Sequence, residues 1–308
     1  MLDSNVIDLF RVPVGKKFKL KDYDPEWAGT DEMKELGKEE LKDRAQAILI
    51  ENRQHLHASQ DLLYADNRYS VLIVLQGMDA SGKDGTIEHV MSGINPQGCE
   101  VHSFKKPTQE ELDHTFLWRC SQRLPERGRI GIFNRSYYED VLIVKVHPEM
   151  IASHPTYEKV GKKFWAHRYE DINEFERHLV RNGTVVLKFF LNVSKKEQKR
   201  RFLERIDRPE KNWKFNVEDV KERGFWKDYM QAYQDALSAT STKWAPWYVI
   251  PADHKWVTRV MIADIVTSTV CGLDLAFPKV TEDQKHLLAE ARETLMSEEA
   301  KKPDPDAS

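Results

Sequence analysis

The residues best suited to do chemistry are Gly77, Met78, Asp79, Ala80, Ser81, Gly82, Lys83, Asp84 and Gly85. Their spacing, G-x-x-x-x-G-K, is that of a loop that wraps phosphate. The glycines let backbone N–H groups turn inward around anionic oxygens, and the lysine adds a point charge. An apolar run precedes the loop at 71–75 and a helical pattern follows, so the positive end of a helix points at the same place. The residue after the lysine is ordinarily Ser or Thr, whose hydroxyl holds magnesium. Here it is Asp84. Magnesium then needs another oxygen, and Asp79 inside the loop is the candidate.

A second polar cluster is Asn134, Arg135, Ser136, Tyr137, Tyr138, Glu139 and Asp140, directly after the apolar run 129–133. Arg135 stands where a planar guanidinium could neutralise phosphate oxygens. The same residues also read as a helix start, with Asn134 or Ser136 as cap and two acids in the first turn. Both readings can hold together.

A third group is the basic run 195–214, in which Arg201, Arg205 and Arg208 follow i, i+4, i+7 spacing. On one helical face they could form part of a lid that brings arginines to a transferring phosphate. Arg208-Pro209 ends the helix. Trp226, Tyr229 and Tyr233 read as helix packing, and neither they nor Trp213 receive a site.

These groups need elements to position them. Buried-strand patterns occur at 70–75, 100–104, 129–133, 184–191 and 247–250, and helical patterns at 39–66, 110–123, 157–181, 195–206 and 217–238. Their alternation predicts an α/β fold with a mostly parallel five-stranded sheet covered by helices on both faces. In such sheets ligands bind at the loops beyond the carboxyl ends of the strands. Residues 1–38 read as a polar, irregular extension and 39–275 as the catalytic domain, with its lid at about 195–216. Residues 276–308 read as a C-terminal helix and disordered tail.

The chain has 308 residues, 40% hydrophobic and 31% charged, which fits a globular protein. No apolar run approaches membrane-spanning length. No signal-peptide pattern opens the chain, so the cytoplasm is the expected location. Cys99, Cys120 and Cys271 lack metal spacing, and a net charge of −3 argues against general nucleic-acid binding.

Three stretches together carry a specific resemblance: GMDASGKDGT at 77–86, FNRSYYEDVL at 133–142 and VSKKEQKRRFLERIDRPEKNWKF at 193–215. In order and spacing they are similar to the family-2 polyphosphate kinases, over roughly residues 16–275. The resemblance implies a thymidylate-kinase-like P-loop core (three layers, α/β/α) with a helical lid. It also implies magnesium, or manganese in its place, and homo-oligomers such as dimers or tetramers. Its chemistry is transfer of the terminal phosphate of inorganic polyphosphate to a nucleotide, reversibly.

By position, Asp79 corresponds to the metal-binding loop aspartate, Lys83 to the loop lysine and Arg135 to the arginine after the strand. Gly77, Ala80, Ser81, Gly82, Asp84, Gly85, Asn134, Lys105, Lys106 and the three lid arginines complete the expected phosphate and nucleotide contacts. Many members carry Asp in place of Asn134 and Asn in place of Glu139. The FNRSYYEDVL form is similar to the subgroup called class III. That implies AMP and ADP as acceptors and ADP and ATP as products, with Glu139 in the catalytic set. Two other readings share the loop: an ATP-dependent nucleoside monophosphate kinase and a non-catalytic sensor.

Overall fold

The computed structural model describes residues 2–152 and 160–300. Five strands form one sheet: β1 (Ser70–Gln76), β2 (Cys99–Ser103), β3 (Ile130–Asn134), β4 (Thr184–Asn192) and β5 (Trp247–Pro251). Their order is β2-β3-β1-β4-β5 and every pairing is parallel. β1 is buried at every position, as a strand covered on both faces requires.

Seven longer helices connect and cover the strands: α1 (Lys38–Asp66), α2 (Lys83–Val90), α3 (Glu139–Val146), α4 (Lys162–Arg181), α5 (Lys195–Asp207), α6 (Trp226–Thr240) and α7 (Lys255–Cys271). α7 packs on α1 and α2, while α6 packs on α3 and α4, so the sheet lies between two helical layers. α1 buries Leu49, Leu56 and Leu63, a seven-residue repeat that keeps one stripe against the core. The three-layer α/β/α fold is the one the alternating pattern implies.

Some expectations give way. The pattern at 110–123 does not make one helix: it breaks into single turns, Gln109–Leu112 and Trp118–Ser121. Asp113 and Thr115 lie at the break, residues that compete poorly for helix interiors. Arg119 then reaches back to the carbonyl of Lys105 at 3.0 Å. The 217–238 pattern is likewise divided, by a tight turn at Arg223–Phe225 that contains Gly224. Part of the 157–181 pattern, residues 157–159, lies outside the described residues.

The N-terminal segment is not a polar appendage. Val6, Phe10, Val12, Phe18 and Leu20 are buried in the main core. Arg11 makes an antiparallel bridge with Tyr248 at the edge of β5. Phe10 accepts from the Val249 amide at 2.8 Å, and the Val12 amide donates to Trp247 at 2.9 Å. Burial of those five apolar side chains outweighs the segment's high charge.

Two compact units are present, Met1–Leu275 and Ala276–Ser308. The second contains the helix Glu282–Ala300, so the expected disordered tail, read from Glu298 onward, begins inside a helix; residues 301–308 lie outside the described residues. No described helix is long and apolar enough to cross a membrane.

Candidate active site

The carboxyl edge of the sheet opens into a cleft of about 640 Å³. Its floor is the loop between β1 and α2. A Cβ at Gly77 would lie 2.7 Å from Ser81 Oγ and 2.9 Å from the Leu191 carbonyl oxygen, so only glycine fits there. Ala80 and Gly82 both have left-handed backbone, with φ of +60° and +108°. That geometry turns the chain back on itself before α2 begins at Lys83. Lys83 is buried, and its Nζ donates to the Gly77 carbonyl at 2.7 Å. Burial first, and then the charge of Arg135, pull its ammonium down to about 8.

The second wall comes from the turn after β3. Arg135 has left-handed backbone (φ +65°), unusual for a side chain of its size. The conformation costs roughly 1–3 kcal/mol, so its surroundings must hold it. They do so through a buried network just beyond it. Tyr137 and Tyr138 hydroxyls donate to Glu176 Oε1 at 2.9 and 2.8 Å. Lys188 Nζ donates to Glu176 Oε2 at 2.5 Å, to the Tyr138 hydroxyl at 3.0 Å and to the Thr240 carbonyl at 2.7 Å. All four side chains are fully buried.

Held in this way, Arg135 places one guanidinium nitrogen 2.5 Å from Asp79 Oδ1 and another 3.8 Å from Glu139 Oε2. Glu139 does not line the cleft. It sits behind Arg135, and burial raises its carboxyl above the ordinary range while Arg135 opposes the rise. Asn134 donates from Nδ2 to Asp84 Oδ1 at 2.7 Å. A carboxylate at 134 would face Asp84 as a like charge, so the amide and Asp84 form a compatible pair.

Asp79, Ala80, Ser81, Gly82, Asp84, Gly85, Asn134, Lys105 and Lys106 all line the cleft, and Gly77 lies beneath it. The lid arginines divide three ways. Arg205 reaches the cleft and pairs with Asp219 at 3.6 Å. Arg208 does not reach it: the helix ends at Asp207, Arg208 is extended (φ −105°, ψ 111°), and helical spacing stops applying there.

Arg201 comes to the loop with its guanidinium already engaged. It donates to the carbonyls of Ala80 (2.9 Å), Ser81 (2.8 Å), Ala252 (2.5 Å) and Asp253 (3.3 Å), and to Glu197 Oε1 (2.8 Å). Five N–H donors meet five acceptors, so Arg201, although it lines the cleft, is spent on bracing the loop. Gln198, one helical turn earlier, adds a bond from Nε2 to the Asp79 carbonyl at 2.9 Å.

Several lining residues escaped the sequence reading. From the lid come Lys211, Trp213 and Lys214, from the short helix after it Asp219, and from α7 Lys255 and Arg259. Asp219 is pushed up to about 6, by burial first and by Asp79 second. Within the sequence it is only one acid in the first turn of a short helix, Val217–Glu222. Ten lysines and arginines line the cleft against four carboxylates, in a chain whose net charge is −3. Such a wall concentrates polyanions.

Residues 39–276 match the family model described as polyphosphate kinase 2 (PPK2). The chain belongs to the polyphosphate kinase 2 family. Among curated relatives, the ADP-polyphosphate phosphotransferase of Rhodopseudomonas palustris is 51% identical over 83% of this chain and 90% of its own length. The AMP/ADP-polyphosphate phosphotransferase of Meiothermus ruber is 44% identical, over 88% of this chain and 95% of its own. The crystal structure of polyphosphate kinase 2 from Arthrobacter aurescens TC1 superposes with a TM-score of 0.80 at 36% identity, covering 92% of this chain and 96% of that one.

Members of this family imply a divalent metal. Among the described residues no group of three or more His, Cys, Asp or Glu side chains is arranged to hold one. That suits magnesium, which keeps several waters and takes one or two protein carboxylates together with substrate phosphates. Asp79 and Asp84 are the carboxylates beside the loop, both on the cleft wall, and they fit that role.

Proposed function

We propose that this chain transfers the terminal phosphate of inorganic polyphosphate to AMP and ADP, giving ADP and ATP, and that the reaction is reversible. The observation that carries the reading is the excess of cationic side chains around a phosphate loop in an otherwise acidic chain. Acceptor identity is supported by the printed activities of the Rhodopseudomonas and Meiothermus relatives. Adenine is the favoured base on the class III resemblance, and the family resemblance supports a homo-oligomer.

The loop amides and Lys83 take the oxygens of the phosphoryl group to be transferred. Arg135, oriented by Asp79 in front and Glu139 behind, faces the same phosphoryl and stabilises charge as it spreads over the equatorial oxygens. An acceptor phosphate oxygen attacks the terminal phosphorus in line. A new P–O bond forms, the bridging P–O bond of the donor breaks, and the leaving polyphosphate is one unit shorter and carries away the electron pair. Arg205, Lys211 and Lys214 cover the cleft from the lid and exclude water. Asp79 and Asp84 would hold magnesium or manganese, which would supply positive charge beside the transferring phosphate.

Incubation with AMP, magnesium and polyphosphate, with ATP omitted, tests the donor. The expected result is successive appearance of ADP and ATP. Formation of neither nucleotide, with activity restored only by ATP, shows an ATP-dependent monophosphate kinase instead. Glu139→Asn tests the acceptor class: turnover should fall more with AMP than with ADP, and equal losses contradict the class III reading.

A further inference from the structure

The short helix that follows the lid, Val217–Glu222, has six residues and buries none of their side chains. Its two valines, Val217 and Val220, are exposed. A helix of that length is marginal in water unless side chains anchor it. Yet it carries Asp219 to the cleft, where Asp219 meets Arg205 at 3.6 Å. Its other anchor is at the far end. There Glu222 Oε2 accepts from the Tyr229 hydroxyl at 2.6 Å and lies 2.9 Å from His147 Nε2.

His147 is the residue on which α3 ends, and α3 begins at Glu139, the carboxylate behind Arg135. Its second ring nitrogen, Nδ1, lies 3.2 Å from Glu149 Oε1 in the single turn Glu149–Ala152. The Phe225 ring meets the imidazole edge-on, 4.8 Å between centroids. Neighbouring cations are engaged elsewhere: Lys145 with Asp235 and Tyr169, Arg223 with the Lys195 carbonyl and Gln198. A carboxylate can only accept, so both contacts are complete only when both ring nitrogens carry protons. The neutral ring has one N–H and must give up one carboxylate. Partial burial opposes the charge, but Glu222 and then Glu149 outweigh it and raise the imidazolium above its ordinary value.

We propose that His147 is a positioning residue: as the imidazolium it ties the end of α3 to the short helix and so holds Asp219 and Arg205 at the cleft. The tie joins the side that carries Arg135 and Glu139 to the side that returns from the lid. It is fully present below about 6.5, the ordinary imidazole value, and is lost as pH rises through the higher value of the folded chain. The inference rests on the functional reading above for its rate measurement.

The test compares wild type with H147Q from about pH 6 to about pH 9, reading kcat/KM for polyphosphate with AMP as acceptor. The ratio between the two enzymes cancels the titrations they share, including those of Lys83 and Asp219. Wild type should be about fivefold better at the acid end, and the ratio should fall toward one as pH rises. A ratio that stays constant with pH leaves His147 a merely structural role and overturns the proposal. NMR titration of the His147 imidazole in wild type needs neither turnover nor a variant. Its value should lie above about 6.5, and triphosphate with magnesium, added without acceptor, should raise it further, because linkage is reciprocal. A value at or below about 6.5, or one that triphosphate leaves unmoved, overturns the proposal. If no phosphate passes from polyphosphate, the functional reading fails, and the same titration with ATP in place of triphosphate still decides the tie.

Discussion

Lys83→Ala should lower turnover at least about a hundredfold while the protein stays folded. The two halves of this expectation have different causes. In the folded chain the ammonium is buried and its proton is held more weakly than in water, down to about 8 from 10.5. Its charged form therefore costs stability at neutral pH, which offsets the loss of its bonds to the Gly77 and Met78 carbonyls, so the variant should remain folded. Lys83→Met, which keeps most of the side-chain volume, separates loss of charge from loss of packing. Catalysis should suffer because the cation beside the loop amides meets charge that develops on the transferring phosphoryl group. Asp79→Ala should lose as much, since it frees Arg135 from its 2.5 Å contact and removes a carboxylate proposed to hold the metal. Folded variants with near-normal turnover would remove both residues from the site.

Arg201→Ala should fail differently, losing stability as well as turnover. A phosphate ligand, once removed, raises the donor KM and leaves the fold alone. Arg201 is instead spent on carbonyls from two chain segments, 80–81 and 252–253. Stripping it leaves buried acceptors without partners, at roughly 1–3 kcal/mol each. A loss on the order of 3 kcal/mol or more in unfolding free energy is expected, with turnover down at least about a hundredfold as the loop loosens. Arg201→Lys should not rescue it, because one ammonium cannot reproduce a five-donor fork. Unchanged melting behaviour together with a raised donor KM would return Arg201 to the phosphate ligands.

The contrast between these two residues shows what the sequence made legible. Lys83 works within a contiguous motif whose spacing, preceding strand and following helix can all be read locally. Strand–helix alternation likewise implies the parallel sheet, because periodicity is a local property. Arg201 stands in a basic run, and nothing local distinguishes a guanidinium aimed at a ligand from one aimed at backbone more than a hundred residues away. Asp219, Lys255 and Arg259 belong to no motif; only the closing of β5 beside β4 and the return of the lid bring them to the loop. Arg208 shows the opposite failure. Helical spacing extends only to Asp207, and Arg208, one residue past it, does not line the cleft.

Phosphoryl transfer as proposed requires the terminal phosphate of the donor to sit on the amides and lysine of the 77–83 loop. A crystal structure of the protein with magnesium and a short polyphosphate tests it most directly. The predicted result is a phosphate within hydrogen-bond distance of Lys83 Nζ and the backbone N–H groups at the start of α2. Polyphosphate bound elsewhere on the surface, with Lys83 still donating to the Gly77 carbonyl and no anion on the loop, would contradict it.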